Sequence, residues 1–187
     1  MTSWIGSYEA AIGSSELLGE LSGFDPRVVG TLPLGISTPT SDIDVVCQVR
    51  DAAAFAELVW RRYGACDGFA LYQWRSSRRP VVARFEWGGW PFELFGDPRP
   101  VDQQEGWQHF EIERRLLALD DGRLRKAVVG HRGRGMKTEP AFAAVLGIAG
   151  NPYSGLLALG RESDAQLRSR LDRLQKPFRP ARGRSGR

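Results

Sequence analysis

The sequence predicts an α+β fold, a small sheet with helices over residues 1–100 and a helical region over 101–175, and three observations predict it. Between Val28 and Val49, a short apolar run, a Gly-Thr turn, a loop dense in Ser, Thr and Pro, and a second apolar run read as strand, loop, strand. Residues 81–87 and 90–95 are β-rich and flank Gly88-Gly89, a strong hairpin signal. From Asp102 onward the apolar residues recur at helical spacing. At 187 residues the chain can bury one sizeable core, or a small α/β core with a helical annex.

Taken in order, residues 7–21 carry apolar Ala11, Ile12, Leu17, Leu18 and Leu21 with Glu9, Glu16 and Glu20, an amphipathic helix weakened by Gly13 and Gly19. Asp25-Pro26 leads into the first strand. Asp51 caps a helix over 52–62, which Gly64 closes. A strand is expected near Phe69 to Trp74, then a basic turn from Arg75 to Pro80, then the hairpin, whose Pro91 suggests an edge position or a bulge. In the second half a helix beginning at Asp102 or Gln103 runs through Trp107, Phe110, Ile112, Leu116 and Leu119 and ends around Asp120-Asp121-Gly122. A short basic helix covers 123–129, Thr138 reads as the N-cap of a helix to Leu146, Asn151-Pro152 starts another, and 162–174 forms the last.

The net charge of +4 is unevenly placed: residues 176–187 hold five basic residues and no acid, so the remainder is nearly neutral. This Pro, Gly and Arg tail has little to bury and is expected to be disordered. It can touch nucleic acid weakly and non-specifically, or simply be a solvated extension. The chain lacks the run of about 18 apolar residues that a membrane span requires. Its N-terminus lacks the basic start and apolar run of a signal peptide. No membrane partner is therefore expected, and Cys47 and Cys66, the only cysteines, suit free thiols in a reducing cytoplasm.

Chemistry concentrates at the second strand. Asp42 and Asp44 are two apart, so on a strand they project together while Ile43 and Val45 face the other way. Two carboxylates in one small volume repel unless one holds a proton or a cation joins them, and such hard oxygen ligands suit Mg²⁺ or Mn²⁺. Before them, Gly30 permits close backbone approach and Thr31 offers an N–H and a hydroxyl, groups that bind phosphate beside a metal. Ser41-Asp42 can also be an ordinary turn capping its own backbone. Glu93 lies among Phe92, Leu94 and Phe95, where an acid needs a partner or a metal. Glu86 is its rival for that role, although Arg84 and Glu86 share a face and read as a solvent-facing charge pair. His109 and Glu113, four apart on a helix, can hydrogen-bond, though a lone helical His is more often structural. Lys137 precedes a helix N-terminus, a place for an anion or an ordinary exposed lysine.

Gly30, Thr31, Gly35, Ser41, Asp42 and Asp44 fall at the spacings Gly-Ser, three residues, Gly, five residues, Ser-Asp-x-Asp. In this the run resembles the signature of the DNA polymerase β-like nucleotidyltransferase superfamily. Thr31 keeps the hydroxyl of the usual Ser, while Leu34 departs from the basic residue many members carry. With Phe-Glu-Leu-Phe-Gly, Pro-Val-x-x-Gln, Lys-Thr-Glu-Pro-Ala-Phe-Ala and Gly-x-Pro-Tyr added, the stretch from Val28 to Leu159 resembles a small family of bacterial proteins catalogued as a domain of unknown function and grouped with that fold.

The resemblance implies a mixed sheet with helices, followed by a small C-terminal helical bundle. It implies a metal-dependent nucleotidyltransferase moving an NMP from an NTP to an unidentified hydroxyl acceptor, with Mg²⁺ or Mn²⁺ as cofactor. Asp42, Asp44 and Glu93 would be the catalytic and metal-binding acids. Gly30, Thr31, Ser41 and Lys137 would meet the nucleotide, and Gln104, His109, Thr138 and Glu139 would line the substrate pocket. Two other readings stand beside it: a non-catalytic nucleotide- or partner-binding protein on the same fold, and an RNA-acting enzyme leaning on the tail and the Arg75 to Arg79 turn. A metal-dependent glycosyltransferase also uses Asp-x-Asp but gives the Gly-Thr spacing no role.

Overall fold

In the computed structural model, residues 6–174 are described; residues 1–5 and the basic tail over 176–187 lie outside them. Five strands make one sheet: β1 (Arg27–Val29), β2 (Ile43–Gln48), β3 (Ala70–Gln73), β4 (Val81–Trp87) and β5 (Trp90–Asp97), in spatial order β1-β2-β5-β4-β3. β2 and β5 run parallel and every other pair is antiparallel, so the sheet is mixed. The helices are α1 (Tyr8–Ser14), α2 (Leu17–Glu20), α3 (Thr31–Leu34), α4 (Ala52–Tyr63), α5 (Glu105–Leu119), α6 (Arg123–Arg132), α7 (Thr138–Leu146), α8 (Pro152–Leu159) and α9 (Asp164–Arg173). Together they form an α+β fold around one mixed sheet.

Strand alternation sorts the sheet into a packed face and a polar one. Ile43, Val45 and Cys47 of β2, Phe92 and Leu94 of β5, and Val81, Ala83 and Phe85 of β4 join Phe55, Val59 and Tyr63 of α4 in one core, with Ala11, Leu17 and Leu21 closing it. Tyr63 stacks on Phe85 at 4.5 Å and Phe85 on Phe92 at 5.1 Å. Each large side chain buried there contributes about 1.5–3 kcal/mol, so this face is committed to stability. The opposite face carries Asp44, Glu93 and Arg84.

Local chemistry explains most boundaries. Asp51 caps α4 by accepting from Ala53 N and Ala54 N, both at 3.0 Å. The single helix expected over 7–21 is broken: Glu16 adopts a left-handed conformation at φ 55°. The buried Tyr63 hydroxyl needs an acceptor and takes the Ser15 carbonyl at 3.1 Å, which the break presents. The loop expected after β1 contains a helical turn, α3, set between Gly30 and Gly35. Pro91 lies within a central strand instead of an edge; pairing of β5 with β2 begins only at Phe92, so its missing N–H falls outside that ladder.

The chain divides into two compact units, one through Glu111 and one from Ile112, the division falling within α5. In the second unit α6 packs on α7 and α7 on α8, forming a small helical bundle. Leu124, Val128, Phe142, Leu156, Leu159, Leu167 and Leu171 are buried. Asn151 caps α8, and Ser163 caps α9 in a reciprocal box with Gln166. Thr138 is not the cap of α7 but its first residue; Lys137 holds the cap position, and the Thr138 hydroxyl accepts from the Arg132 guanidinium. Among the described residues, no helix is long and apolar enough to cross a membrane. Cys47 and Cys66 are free thiols.

Candidate active site

Asp44 sits near the start of β2, in register with Val29 of β1 on one side and Glu93 of β5 on the other. Asp42 lies two residues upstream and is half-buried. Gly30, at φ +78°, passes so close to Asp44 that an added Cβ would stand 3.0 Å from its Cγ and nearer still to Oδ2. Only glycine lets β1 and the Asp44 carboxylate share that space. The following loop is pinned from within. The Thr31 hydroxyl donates to Ser41 Oγ at 3.0 Å, and Thr38 N donates to the same oxygen at 2.9 Å. Thr31 and Ser41 are buried, so their hydroxyls hold the loop to the head of β2.

Glu93 is half-buried and has a partner the sequence reading assigned elsewhere. Arg84 of β4 lies directly opposite it, and its Nε and one terminal nitrogen reach Glu93 Oε2 at 2.7 and 2.5 Å. Glu86, expected to pair with Arg84, is opposite Pro91 instead; directly opposed side chains across antiparallel strands meet more readily than residues two apart on one strand. The Glu93 hydrogen bond and charge raise the Arg84 pKa, with Tyr72 and Asp42 adding to the effect, so the guanidinium lies within the field of Asp42 as well. The signal was available: a two-residue turn at Gly88-Gly89 sets Trp87 against Trp90 and therefore Arg84 against Glu93.

Three carboxylates on adjoining strands, with no sulfur or imidazole among them, fit a hard divalent cation in their donor chemistry. As they stand, no three His, Cys, Asp or Glu side chains among the described residues are gathered to hold one ion. Glu93 is turned to Arg84.

The remaining sequence-predicted residues lie elsewhere. Gln104 is buried and donates Nε2 to the Cys47 carbonyl at 2.9 Å and the Arg99 carbonyl at 3.0 Å, at the far end of β2 from Asp42. His109 is buried on α5. Lys137, Thr138 and Glu139 belong to the second unit, where Lys137 is exposed. Also there is Glu113, 4% exposed, whose Oε1 has no hydrogen-bond partner. Burial pushes its pKa up to about 9, Glu139 adding to the rise and Arg132 opposing it. A cluster around the buried Asp97 that sequence reasoning missed closes the other end of β5. Arg99 bonds both oxygens of Asp97 at 2.9 and 3.0 Å and reaches Glu105 at 2.7 Å, and Arg78 stands 3.4 Å from Asp97. Burial pulls the Asp97 pKa upward, but the Arg99 hydrogen bonds and charge outweigh it and leave the carboxyl below its ordinary value.

This sheet, with an acid-bearing strand beside a parallel partner, is the fold of the nucleotidyltransferases. Over 80% of its length the chain is similar to the Cid1 poly(U) polymerase bound to MgGTP, at a TM-score of 0.52 and 15% identity. Over 80% it is also similar to a cytoplasmic RNA terminal U-transferase, at 0.50 and 14%. A chain of the GLD-2/RNP-8 complex matches over 86%, at 0.51 and 11%. The chain spans 43% of the U-transferase, 47% of Cid1 and 71% of the GLD-2/RNP-8 chain. No curated protein sequence matches it. Residues 10–159 match the model of DUF4269, a domain of unknown function, and the chain belongs to that family.

Proposed function

We propose that the protein is a nucleotidyltransferase that moves an NMP from an NTP to a hydroxyl acceptor, with Asp42, Asp44 and Glu93 as its catalytic acids. The observation that carries this reading is the register of Asp44 against Glu93 on parallel neighbouring strands, with Asp42 just before the strand, two residues upstream of Asp44. Asp42, Asp44 and Glu93 would hold Mg²⁺ or Mn²⁺, which when bound supplies positive charge to the triphosphate and acidifies the acceptor hydroxyl. Gly30 and the Thr31 backbone are the nucleotide-side loop, held by the Thr31–Ser41 bond. Glu93 takes the acceptor's proton as its oxygen attacks the α-phosphorus in line; the new P–O bond forms, the α–β bond breaks, and pyrophosphate leaves. Two free thiols suit a cytoplasmic setting.

The test is calorimetric binding of the four NTPs with and without Mg²⁺, followed by pyrophosphate release. Asp42→Ala and Asp44→Ala are expected to abolish turnover and metal-dependent binding while the thermal melt stays cooperative. Near wild-type turnover in either variant would remove the acids from the chemistry. An RNA end as acceptor is the second reading. Tyr72 and Trp74 are exposed next to the basic turn from Arg75, with Trp74 edge-on to Phe95 at 5.7 Å, an arrangement that suits base stacking. Comparing oligonucleotide and small-molecule hydroxyls in the same pyrophosphate assay separates the two.

A further inference from the structure

Glu93 and Asp97 share one face of β5, and the way each is held differs in kind. Asp97 has a side chain 2% exposed and receives Arg99 on both oxygens, the Arg99 backbone N–H at 3.0 Å, and Arg78 nearby. Glu93 has one arginine, and both bonds go to a single oxygen, Oε2. Arg84 is 58% exposed and its partner 26%. Exposed ion pairs of this sort contribute about 0–1 kcal/mol, little enough for a millimolar divalent ion to compete with. Removing Arg99 would leave the buried Asp97 carboxylate short of its chief partner; releasing Glu93 strands nothing, because water reaches Arg84.

We propose that Arg84 is a built-in competitor for the divalent ion: its guanidinium holds Glu93 when no ion is bound, and Glu93 leaves it to join Asp42 and Asp44 when one binds. This rests on the metal-binding reading of the three acids given above. It accounts for a third acid that is bonded to Arg84 while standing in register with Asp44. It also makes Arg84 a positioning residue, acting through Glu93 and setting how much ion the site needs.

The experiment is a Mn²⁺ titration without nucleotide, read by electron paramagnetic resonance of free Mn²⁺, on the full chain and on Arg84→Gln, Arg84→Lys, Glu93→Gln and the Arg84→Gln/Glu93→Gln double variant. Thermal melts accompany it, and Arg84→Lys, which keeps the charge, stands in should Arg84→Gln fold poorly. Arg84→Gln is expected to tighten Mn²⁺ binding about two- to fivefold, the value of an exposed pair, and Arg84→Lys to fall between it and wild type. In the Glu93→Gln background the same change should matter less than about 1.5-fold, since the competition runs through Glu93. Unchanged or weaker Mn²⁺ binding in Arg84→Gln, with wild type binding normally, overturns the competitor role and leaves the metal site intact. An equal gain in the Glu93→Gln background overturns it too, reducing Arg84 to a bulk repulsive charge. If neither wild type nor Arg84→Gln binds Mn²⁺, or Asp42→Ala/Asp44→Ala leaves binding unchanged, the metal-site reading itself falls and takes the competitor role with it.

Discussion

Glu93 and Asp97 stand four residues apart on the same face of β5, each opposite a residue of β2, Asp44 and Gln48, and each bonded to an arginine. At the Asp97 end the carboxylate is sealed from water and every oxygen is engaged. At the Glu93 end the pair is open and half of the carboxylate's bonding capacity is unused. A buried charge must be satisfied completely or it destabilises the fold, whereas a half-exposed one can exchange partners at little cost. One strand thus carries a structural acid and an exchangeable one, and only the second suits chemistry.

The first test addresses the structural end. Arg99→Ala leaves the buried Asp97 with the backbone N–H of position 99 and Arg78 as its remaining partners, and should lower unfolding free energy by about 3 kcal/mol at pH 7 in a urea titration. The sign of its pH dependence follows from the lowered pKa values of Asp97 and Glu105, the latter brought to about 2 chiefly by its hydrogen bond to Arg99. A depressed carboxylate stabilises above its unfolded value, near 4, and that contribution is lost as pH falls through the folded value. The gap between wild type and variant should therefore narrow from pH 4 towards pH 2. A gap that stays constant over that range would mean that Arg99 acts by packing alone, and the contrast with Glu93 would lose its electrostatic basis.

How much of this could be read in the chain depends on the range of the interaction. The Asp51 cap, the Gly88-Gly89 hairpin and the alternation that sets Ile43 and Val45 opposite Asp44 are local, and the structure has them. The helical turn after Gly30 was hidden because Pro33 and the flanking glycines read as loop, and four residues carry no period. The break at Glu16 answers to Tyr63, 47 positions further on in the chain, and has no local signal. In the candidate site, the closeness of Gly30 to Asp44 joins two strands, and the spacing of the motif carries it only through family resemblance. The Arg84–Glu93 pair was readable by counting back from the turn, but a same-strand pairing with Glu86 was preferred. The Asp97–Arg99–Glu105 cluster and the burial of Glu113 depend on packing, which no spacing records.

Glu113 extends the comparison to an acid that is buried without full satisfaction. Its folded pKa, pushed up to about 9, lies above the unfolded value, so the folded state holds a proton that the unfolded chain releases. Stability should then fall as pH rises from about 4.5 towards 9, with a slope approaching about 1.4 kcal/mol per pH unit from this group. Glu113→Gln keeps the shape and removes the titration. Its melting temperature relative to wild type should be similar near pH 4.5 and increasingly higher through pH 8. If the two curves stay parallel, Glu113 is ionised in the folded protein, and burial alone would not separate the two kinds of acid.

The smallest effect is the most informative about the exchangeable end. Arg84→Gln removes an exposed partner from a half-buried carboxylate, and Glu93, left with water on one side, keeps its hydration. The change should cost no more than about 1 kcal/mol of unfolding free energy at pH 7, roughly a third of the Arg99→Ala loss. Added salt should shrink it further, because ions screen an open pair and not a sealed one. A loss as large as that of Arg99→Ala, insensitive to salt, would make Glu93 a structural acid like Asp97. It could then not be released to an ion without loosening the sheet, and β5 would hold two copies of one device instead of two different ones.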